Sequence, residues 1–285
     1  MDRALADCVR AAADPDGFLC PQRPDRTVPR LREALVKPLL SVQQLSKSYG
    51  ALKVTNDISF DIAEGELFAI IGPNGAGKTT LIHQLSGMLS ADSGQILFNG
   101  VDVTQQSMPD RVKAGLARSF QITSILPRFT ALENVATAIQ ARRHSSFRFF
   151  DRVANDEGLN EPARAILNEV GLDGRHHVPA DSLSHGEKRQ LEVAIALATQ
   201  PKLLLLDEPL AGTSHDESRN ITNLLRALKG RITIALIEHD MEAVFALADR
   251  VGVLVYGRMI AAGAPADIRA NAEVRAAYLG EETHA

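Results

Sequence analysis

The chain has few cysteines, no long apolar run and no excess of positive charge, and each absence argues against a class of protein. Its 285 residues include two cysteines, Cys8 and Cys20, without a C-x-x-C pattern. The sequence therefore supports neither a disulfide framework nor a zinc site, and it suits a reducing compartment. No apolar run approaches the roughly 18 residues that span a bilayer, so we expect any membrane role to come through a partner. The formal net charge of −4 provides no general attraction for nucleic acid.

What remains is typical of a globular protein, with 45% apolar and 23% charged residues. The first 38 residues differ from the rest, because charges of both signs alternate there and no apolar periodicity persists. We expect residues 1–38 to form a flexible leader and residues 39–282 to form the folded domain. Five prolines punctuate the predicted leader: Pro15, Pro21, Pro24, Pro29 and Pro38.

Residues 72–80, GPNGAGKTT, are the most informative stretch. They fit G-x-x-x-x-G-K-[ST], the phosphate-binding P-loop, in which the lysine reaches the outer phosphates and the Ser/Thr hydroxyl ligates Mg²⁺. An apolar run, residues 67–71, precedes them as the strand that this motif requires, and a helix is predicted to begin near Lys78. The helix would direct its positive end at the same phosphate. The predicted nucleotide-binding residues here are Gly72, Pro73, Asn74, Gly75, Ala76, Gly77, Lys78, Thr79 and Thr80.

Apolar strands alternate with helices along most of the folded part, which predicts an α/β fold. We expect a P-loop NTPase core with a mixed, largely parallel sheet and antiparallel β elements. An inserted helical subdomain is expected at about residues 122–200. Within it, Thr130 with Glu133 forms a capping box, Asn160 is the expected cap of a second helix, and Ser184 opens a third.

A buried strand, residues 203–206, ends in two carboxylates, Asp207 and Glu208. Side chains at the carboxyl end of such a strand lie at the edge where ligands bind. Asp207 fits the acid that supports Mg²⁺ in a P-loop NTPase, and Glu208 could orient or deprotonate the attacking water. A strand ending in Asp-Glu is by itself common and structural, but the P-loop upstream favours the functional interpretation.

Residues 183–187, LSHGE, open a predicted helix. Ser184 and Glu187 form a capping box in their own right, and this local explanation stays open. In the alternative, the Ser184 hydroxyl and the Gly186 N–H face a phosphate at the helix N-terminus. Because the P-loop already wraps one nucleotide, the second phosphate would belong to a nucleotide held by another subunit.

Three further side chains are candidates for the same site. His239 follows a predicted strand and could hydrogen-bond the γ-phosphate, although most histidines after strands are solvated loop residues. Gln121 follows a short strand and could contact Mg²⁺ or the attacking water. Tyr49 precedes the P-loop by 23 positions and could stack on an adenine ring, although exposed tyrosines are common.

Together these motifs resemble the nucleotide-binding subunit of an ABC transporter over roughly residues 39–282. The order is the most specific element: P-loop, Gln121, LSHGE, LLLLDEP at 203–209 and His239. Within that family the chain is similar to ATP-binding subunits of branched-chain amino acid importers. Four stretches carry this second resemblance: ARSFQI at 117–122, ALENV at 131–135, LIEHDM at 236–241 and EVRAAYLGEE at 273–282.

The resemblance implies two subunits that sandwich two ATP molecules, each held by the P-loop of one chain and by Ser184 and Gly186 of the other. It implies catalysis by Glu208, His239, Gln121 and Lys78, and Mg²⁺ held by Thr79, Gln121 and Asp207. Two departures stand out: the usual LSGGQ reads LSHGE, and Ser214 replaces an aspartate that the family often carries in the loop crossing the dimer interface.

The expected function is ATP hydrolysis that drives import of branched-chain amino acids or similar small solutes. The implied partners are permease subunits, a second ATP-binding subunit and, indirectly, a periplasmic solute-binding protein, with the chain at the cytoplasmic face of the inner membrane. The permease would dock near residues 122–130, where Arg128, Ile125, Leu126 and Phe129 suit a mixed cleft. A urea or amide importer, a lipid exporter and a non-transport ABC ATPase remain alternatives.

Overall fold

The structure is a computed structural model that describes residues 37–119, 125–143 and 156–279. The predicted leader therefore lies outside the described residues except for its last two. The strands are β1 (Leu40–Tyr49), β2 (Leu52–Ile62), β3 (Leu67–Ile71), β4 (Ser93–Phe98), β5 (Val101–Asp102), β6 (Leu116–Arg118), β7 (Leu203–Asp207), β8 (Thr233–Ile237), β9 (Arg250–Val255) and β10 (Arg258–Gly263). The helices are α1 (Lys78–Ser86), α2 (Met108–Ala114), α3 (Ala131–Arg142), α4 (Glu157–Glu169), α5 (His185–Ala198), α6 (His215–Leu228), α7 (Met241–Leu247), α8 (Pro265–Ala270) and α9 (Ala272–Leu279).

Two sheets form the framework, and they confirm the predicted mixed α/β fold. The larger has the strand order β10-β9-β3-β8-β7-β6, parallel except for β10. The smaller is antiparallel, with the order β2-β1-β4-β5. Every residue of β3, β7 and β8 is buried, as expected for parallel strands covered on both faces.

Alternate side chains of the larger sheet enter two different cores, because successive strand residues point to opposite faces. Leu204 and Leu206 join the core formed with α3–α7. Leu203 and Leu205 join the core formed with the smaller sheet and α1. No helix within the described ranges is long and apolar enough to cross a bilayer.

The register of the larger sheet brings three chain segments to one edge. Ile70 of β3 and Asp207 of β7 both pair with Ile237 of β8. The residues that follow these parallel strands therefore leave the sheet side by side, at the edge where such folds bind ligands. These segments are the P-loop, Glu208 with its successors, and residues 238–240.

The prediction that Asn160 caps a helix is wrong. Helix α4 begins earlier, where Asp156 accepts a hydrogen bond from Gly158 N (2.9 Å), and Asn160 is buried inside the helix. Pro162, with no N–H, lies in the same helix and cannot donate to the Gly158 carbonyl four residues earlier. Arg143 Nη1 donates to that carbonyl instead, at 3.1 Å.

Helix α2 was not anticipated from the sequence, and it carries the buried Arg111. This guanidinium is 1% exposed and donates to the carbonyls of Gln84, Leu85, Thr104 and Gln106 at 2.7–3.2 Å. Gln84 and Leu85 belong to the last turn of α1, where carbonyls lack a helical donor four residues later, although the Gln84 carbonyl also accepts from Gly87 N at 3.3 Å. Arg111 therefore stabilises the end of the helix that follows the P-loop.

Candidate functional site

A cavity of about 220 Å³ lies at the shared sheet edge, lined by Val54, residues 74–80 and Glu208. The P-loop shapes it through glycines that approach other backbone segments closely. A Cβ at position 72 would collide with the Leu254 carbonyl oxygen, and Gly77 has φ 102° and lies against the Val54 carbonyl. At position 77, only glycine tolerates both the left-handed backbone and the close contact with the Val54 carbonyl.

The N-terminus of α1 opens into this cavity. Gly77 is its N-cap residue and provides no side-chain hydrogen bond, so the first-turn N–H groups can serve an anion. Lys78 is 6% exposed, and its Nζ donates to the Gly72 carbonyl (2.6 Å) and the Pro73 carbonyl (2.9 Å). The ammonium therefore lies across the P-loop, next to where the predicted phosphates would sit. Thr79, the predicted metal ligand, is exposed at the same opening.

Asp207 ends β7 as part of a buried ion pair that the sequence did not reveal. Arg118 Nη2 donates to Asp207 Oδ2 at 2.9 Å, and the two side chains are 4% and 1% exposed. Burial raises the pKa of Asp207 and the nearby Glu208 charge adds to the rise, while the Arg118 charge opposes it. Among the described residues, Asp207 Oδ1 has no hydrogen-bond partner. One carboxylate oxygen is thus held by Arg118, and the other is buried without a hydrogen-bond partner among the described residues.

Glu208 and His239 meet at the same edge. His239 Nε2 lies 2.8 Å from Glu208 Oε1. Glu208 has φ 51°, a conformation that is costly for a residue with a side chain. Its N–H donates to the Ile237 carbonyl at 2.9 Å, so β8 holds the strained residue in place. The structure therefore brings together the predicted catalytic acid and histidine.

Glu238 stabilises the loops that carry Glu208 and His239, and it was not singled out from the sequence. It is 2% exposed, and its Oε1 accepts from Leu210 N at 2.7 Å. Its Oε2 accepts from His239 N at 2.9 Å and from Asp240 N at 3.4 Å. Burial raises the pKa of Glu238, although hydrogen bonds from these N–H donors act to lower it. The side chain links the segment after β7 to the segment after β8.

The segment LSHGE begins α5 as predicted, with Ser184 as N-cap and Glu187 completing the capping box. Ser184 is exposed and Gly186 is buried. A further carboxylate, Glu217 of α6, accepts from Ser184 Oγ at 2.9 Å and from Gly186 N at 3.0 Å. The sequence holds a signal for Glu217, because Ser214-x-x-Glu217 is itself a capping box, but its contact with α5 depends on the tertiary fold.

The remaining predicted residues are placed as follows. Tyr49 ends β1 with 54% of its surface exposed, and the residues that line the 220 Å³ cavity do not include it. Gln121 falls in residues 120–124, outside the described part of the chain. Of the predicted docking residues, Arg128, Leu126 and Phe129 are exposed, whereas Ile125 is buried in the core with α3.

The family model described as ABC transporter matches residues 55–211, which cover the P-loop, Ser184, Gly186 and Glu208. The chain belongs to the ABC transporter family. A second model, the branched-chain amino acid ATP-binding cassette transporter, matches residues 258–284.

Full-length relatives point the same way. The chain is 35% identical over 256 residues to the high-affinity branched-chain amino acid transport ATP-binding protein LivG of Escherichia coli (strain K12), covering 86% of this chain and 99% of LivG. It is 33% identical to BraF of Pseudomonas aeruginosa, a protein of the same description, again over 86% and 99%. The solved ADP conformation of an ATP-binding cassette of an ABC transporter superposes with TM-score 0.76 at 30% identity, over 86% of this chain and 99% of that one.

The chain is therefore an ABC ATP-binding subunit: a nucleotide-binding ATPase of the family that couples hydrolysis to transport. The predicted family, fold class and enzyme class are confirmed. The roles of individual site residues are predictions.

Proposed function

We propose that this chain powers an importer of branched-chain amino acids or similar small solutes. The observation that carries the solute class is the match of residues 258–284 to the branched-chain amino acid cassette model. LivG and BraF, which match over nearly their whole length, bear names with the same solute class. The chain would act at the cytoplasmic face of the membrane, bound to permease subunits and served indirectly by a periplasmic solute-binding protein.

ATP would bind at the cavity beside the P-loop. Its phosphates would accept hydrogen bonds from the first-turn N–H groups of α1 and from the Lys78 ammonium, which already lies across the loop. Tyr49 is proposed to stack on the adenine. Its exposed ring at the end of β1 leaves a face accessible for that contact.

The donor set at this edge fits Mg²⁺, which prefers hard oxygen ligands and keeps several waters. The proposed ligands are the Thr79 hydroxyl, Asp207 and Gln121, with Asp207 Oδ1 as the buried oxygen that lacks a partner among the described residues. When bound, the ion would neutralise charge on the outer phosphates. The contribution of Arg118 is to hold the other oxygen of Asp207 and so fix the direction of Oδ1.

Hydrolysis would then depend on Glu208 and His239. Glu208 lines the cavity and is proposed to orient the attacking water and accept its proton. His239, 2.8 Å from Glu208, is proposed to contact the γ-phosphate and to hold the glutamate. Ser184 and Gly186 would complete the site from a second copy or a related subunit, because their own chain places them at the start of α5 rather than in the cavity lining.

Two measurements test this proposal. In cells lacking the gene, uptake of labelled leucine should return with the intact chain and not with Glu208→Gln, while urea uptake should be unaffected. Restored urea uptake without leucine uptake would redirect the solute class. In solution, Glu208→Gln should form a dimer only with ATP and Mg²⁺, and a monomer under all conditions would contradict a self-sufficient ATP sandwich.

A further inference from the structure

The carboxylate of Glu217 joins two segments that the resemblance assigns to the dimer interface. Its Oε1 accepts from Ser184 Oγ (2.9 Å) and Gly186 N (3.0 Å) at the start of α5. Its Oε2 accepts from Ser214 N and Ser214 Oγ, each at 3.0 Å, at the start of α6. These four hydrogen bonds lower the pKa of Glu217 from its ordinary 4.5 to about 2, with the Ser214 N–H as the largest cause. The group at this junction is therefore an anion.

The packing around Glu217 is as close as its hydrogen bonds. A Cβ at position 186 would lie 2.5 Å from both Cγ and Cδ of Glu217, so the carboxylate can approach only because residue 186 is glycine. Next to it, a Cβ at Gly212 would lie 3.2 Å from His185 Nε2. The start of α5 thus packs along the loop that leads into α6.

The two donors that Glu217 occupies are the same two that the proposed function assigns to a γ-phosphate. A carboxylate oxygen and a phosphate oxygen are alternative acceptors for one hydroxyl and one N–H at a helix N-terminus. Both groups are negatively charged, and like charges at hydrogen-bonding distance repel. Glu217 and a nucleotide phosphate therefore cannot share Ser184 Oγ and Gly186 N.

We propose that Glu217 is a positioning residue that holds the Ser184 and Gly186 donors as an internal anion until the γ-phosphate of a nucleotide on a second subunit displaces it. This inference rests on the proposed function. Closure of the sandwich then becomes a competition between the Glu217 carboxylate and the γ-phosphate of ATP. Because ADP has no γ-phosphate, it leaves Glu217 in place.

Displacement of Glu217 from Ser184 and Gly186 would also affect Ser214. The same carboxylate caps α6 through Ser214, so its departure from Ser184 and Gly186 changes the cap of the helix that follows the interface loop. The family often has an aspartate where this chain has Ser214. In this chain, Glu217, three residues after Ser214, brings a carboxylate to that position. Binding of a phosphate at Ser184 and Gly186 would move this carboxylate.

The test compares dimer formation at increasing ATP in two chains, Glu208→Gln and Glu208→Gln with Glu217→Gln. Glutamine keeps the size of the side chain but loses the charge that strengthens these hydrogen bonds. The ATP concentration at half-maximal dimer, measured by light scattering, should fall about tenfold, within the usual range of coupling between two ligands. An unchanged or higher ATP requirement would overturn the proposal.

Glu133→Gln is the matched control. Glu133 completes the capping box of α3 just as Glu217 completes that of α6, accepting from Thr130 N at 2.8 Å, but its carboxylate bonds to Thr130 rather than to Ser184 or Gly186. If loss of a capping glutamate were the whole effect, Glu133→Gln would change the ATP requirement equally. Thermal unfolding of both variants would show that each one folds.

If the Glu208→Gln chain never dimerises, that result counts against the proposed ATP sandwich but does not test the role of Glu217. A second measurement tests that role directly. Inorganic phosphate is titrated into glycine-labelled protein while the Gly186 amide resonance is followed. In Glu217→Gln the resonance should shift at a phosphate concentration at least about fivefold lower than in the unaltered chain. Identical titration curves, or no shift in either protein, would overturn the inference.

Discussion

His239 Nε2 lies 2.8 Å from Glu208 Oε1, across the ends of two adjacent parallel strands. The two residues are 31 positions apart, and neither is placed by its own strand alone. Glu208 adopts a strained φ of 51°, and Glu238 binds backbone N–H groups beside both of them. The contact between Glu208 and His239 therefore depends on the pairing of β7 with β8. Substitution of residues on either strand end can test it.

Glu208→Gln should retain ATP binding but turn over about 100-fold or more slowly, because the amide cannot accept a proton from water. ATP hydrolysis and nucleotide affinity would be measured on the same preparation. Glu242→Gln, at an exposed glutamate in α7, is the control and should hydrolyse ATP normally. Turnover near that of the unaltered chain would remove Glu208 from the mechanism.

Lys78→Ala should abolish tight ATP binding, because the ammonium that lies across the P-loop is lost. Equilibrium binding of a fluorescent ATP analogue measures this directly. Lys53→Ala alters an exposed lysine of neighbouring β2 and should bind ATP normally. Unchanged affinity in Lys78→Ala would contradict the P-loop assignment.

Arg118→Met should destabilise the protein by about 3 kcal/mol, since it leaves the Asp207 carboxylate buried without its partner. Urea unfolding measures the loss, and Asp207→Asn in the same chain should recover part of it. Arg164→Met removes a partner from the more exposed Arg164–Glu157 pair and should change stability much less, because water screens an exposed pair. Equal effects at both positions would contradict a special role for burial.

Glu238→Gln should lower turnover with little change in KM for ATP, because the neutral side chain holds the loops after β7 and β8 less firmly. Glu66→Gln is a matched control: Glu66 is also buried and accepts from a backbone N–H, Ala63 N at 2.7 Å, but it precedes β3 at the opposite edge of the sheet. It should reduce stability without reducing kcat. A parallel loss of kcat in both variants would indicate a general packing effect.

Glu217 predicts a dependence of stability on pH. Its pKa is lower in the folded state, about 2, than its ordinary 4.5. The folded state therefore binds this proton less readily, and the stabilisation is present above pH 4.5 and is lost as pH falls toward 2. The difference in Tm between the unaltered chain and Glu217→Gln should be constant near neutrality and should shrink on acidification. Glu187, which lies close to Glu217, is present in both proteins, and a difference that grows toward acid would contradict the expectation.

Local signals predicted their elements well. The strand before the P-loop has the predicted bounds, and the capping boxes at Thr130 and Ser184 begin α3 and α5 as expected. These predictions succeeded because each depends on residues within three or four positions. Asn160 failed because Asp156, four positions earlier, is also a good cap, and because the Arg143 side chain satisfies the Gly158 carbonyl that Pro162 leaves without a helical donor.

By itself, the sequence determined the family, the order of the nucleotide-binding motifs and the residue types that the chemistry requires, because these reside in short contiguous patterns. The tertiary structure alone decided which charges meet. Arg118 reaches Asp207 across 89 positions, and Glu217 reaches Ser184 across 33. Burial and strand pairing select such partners from many equivalent carboxylates and cations, and no local pattern records that selection.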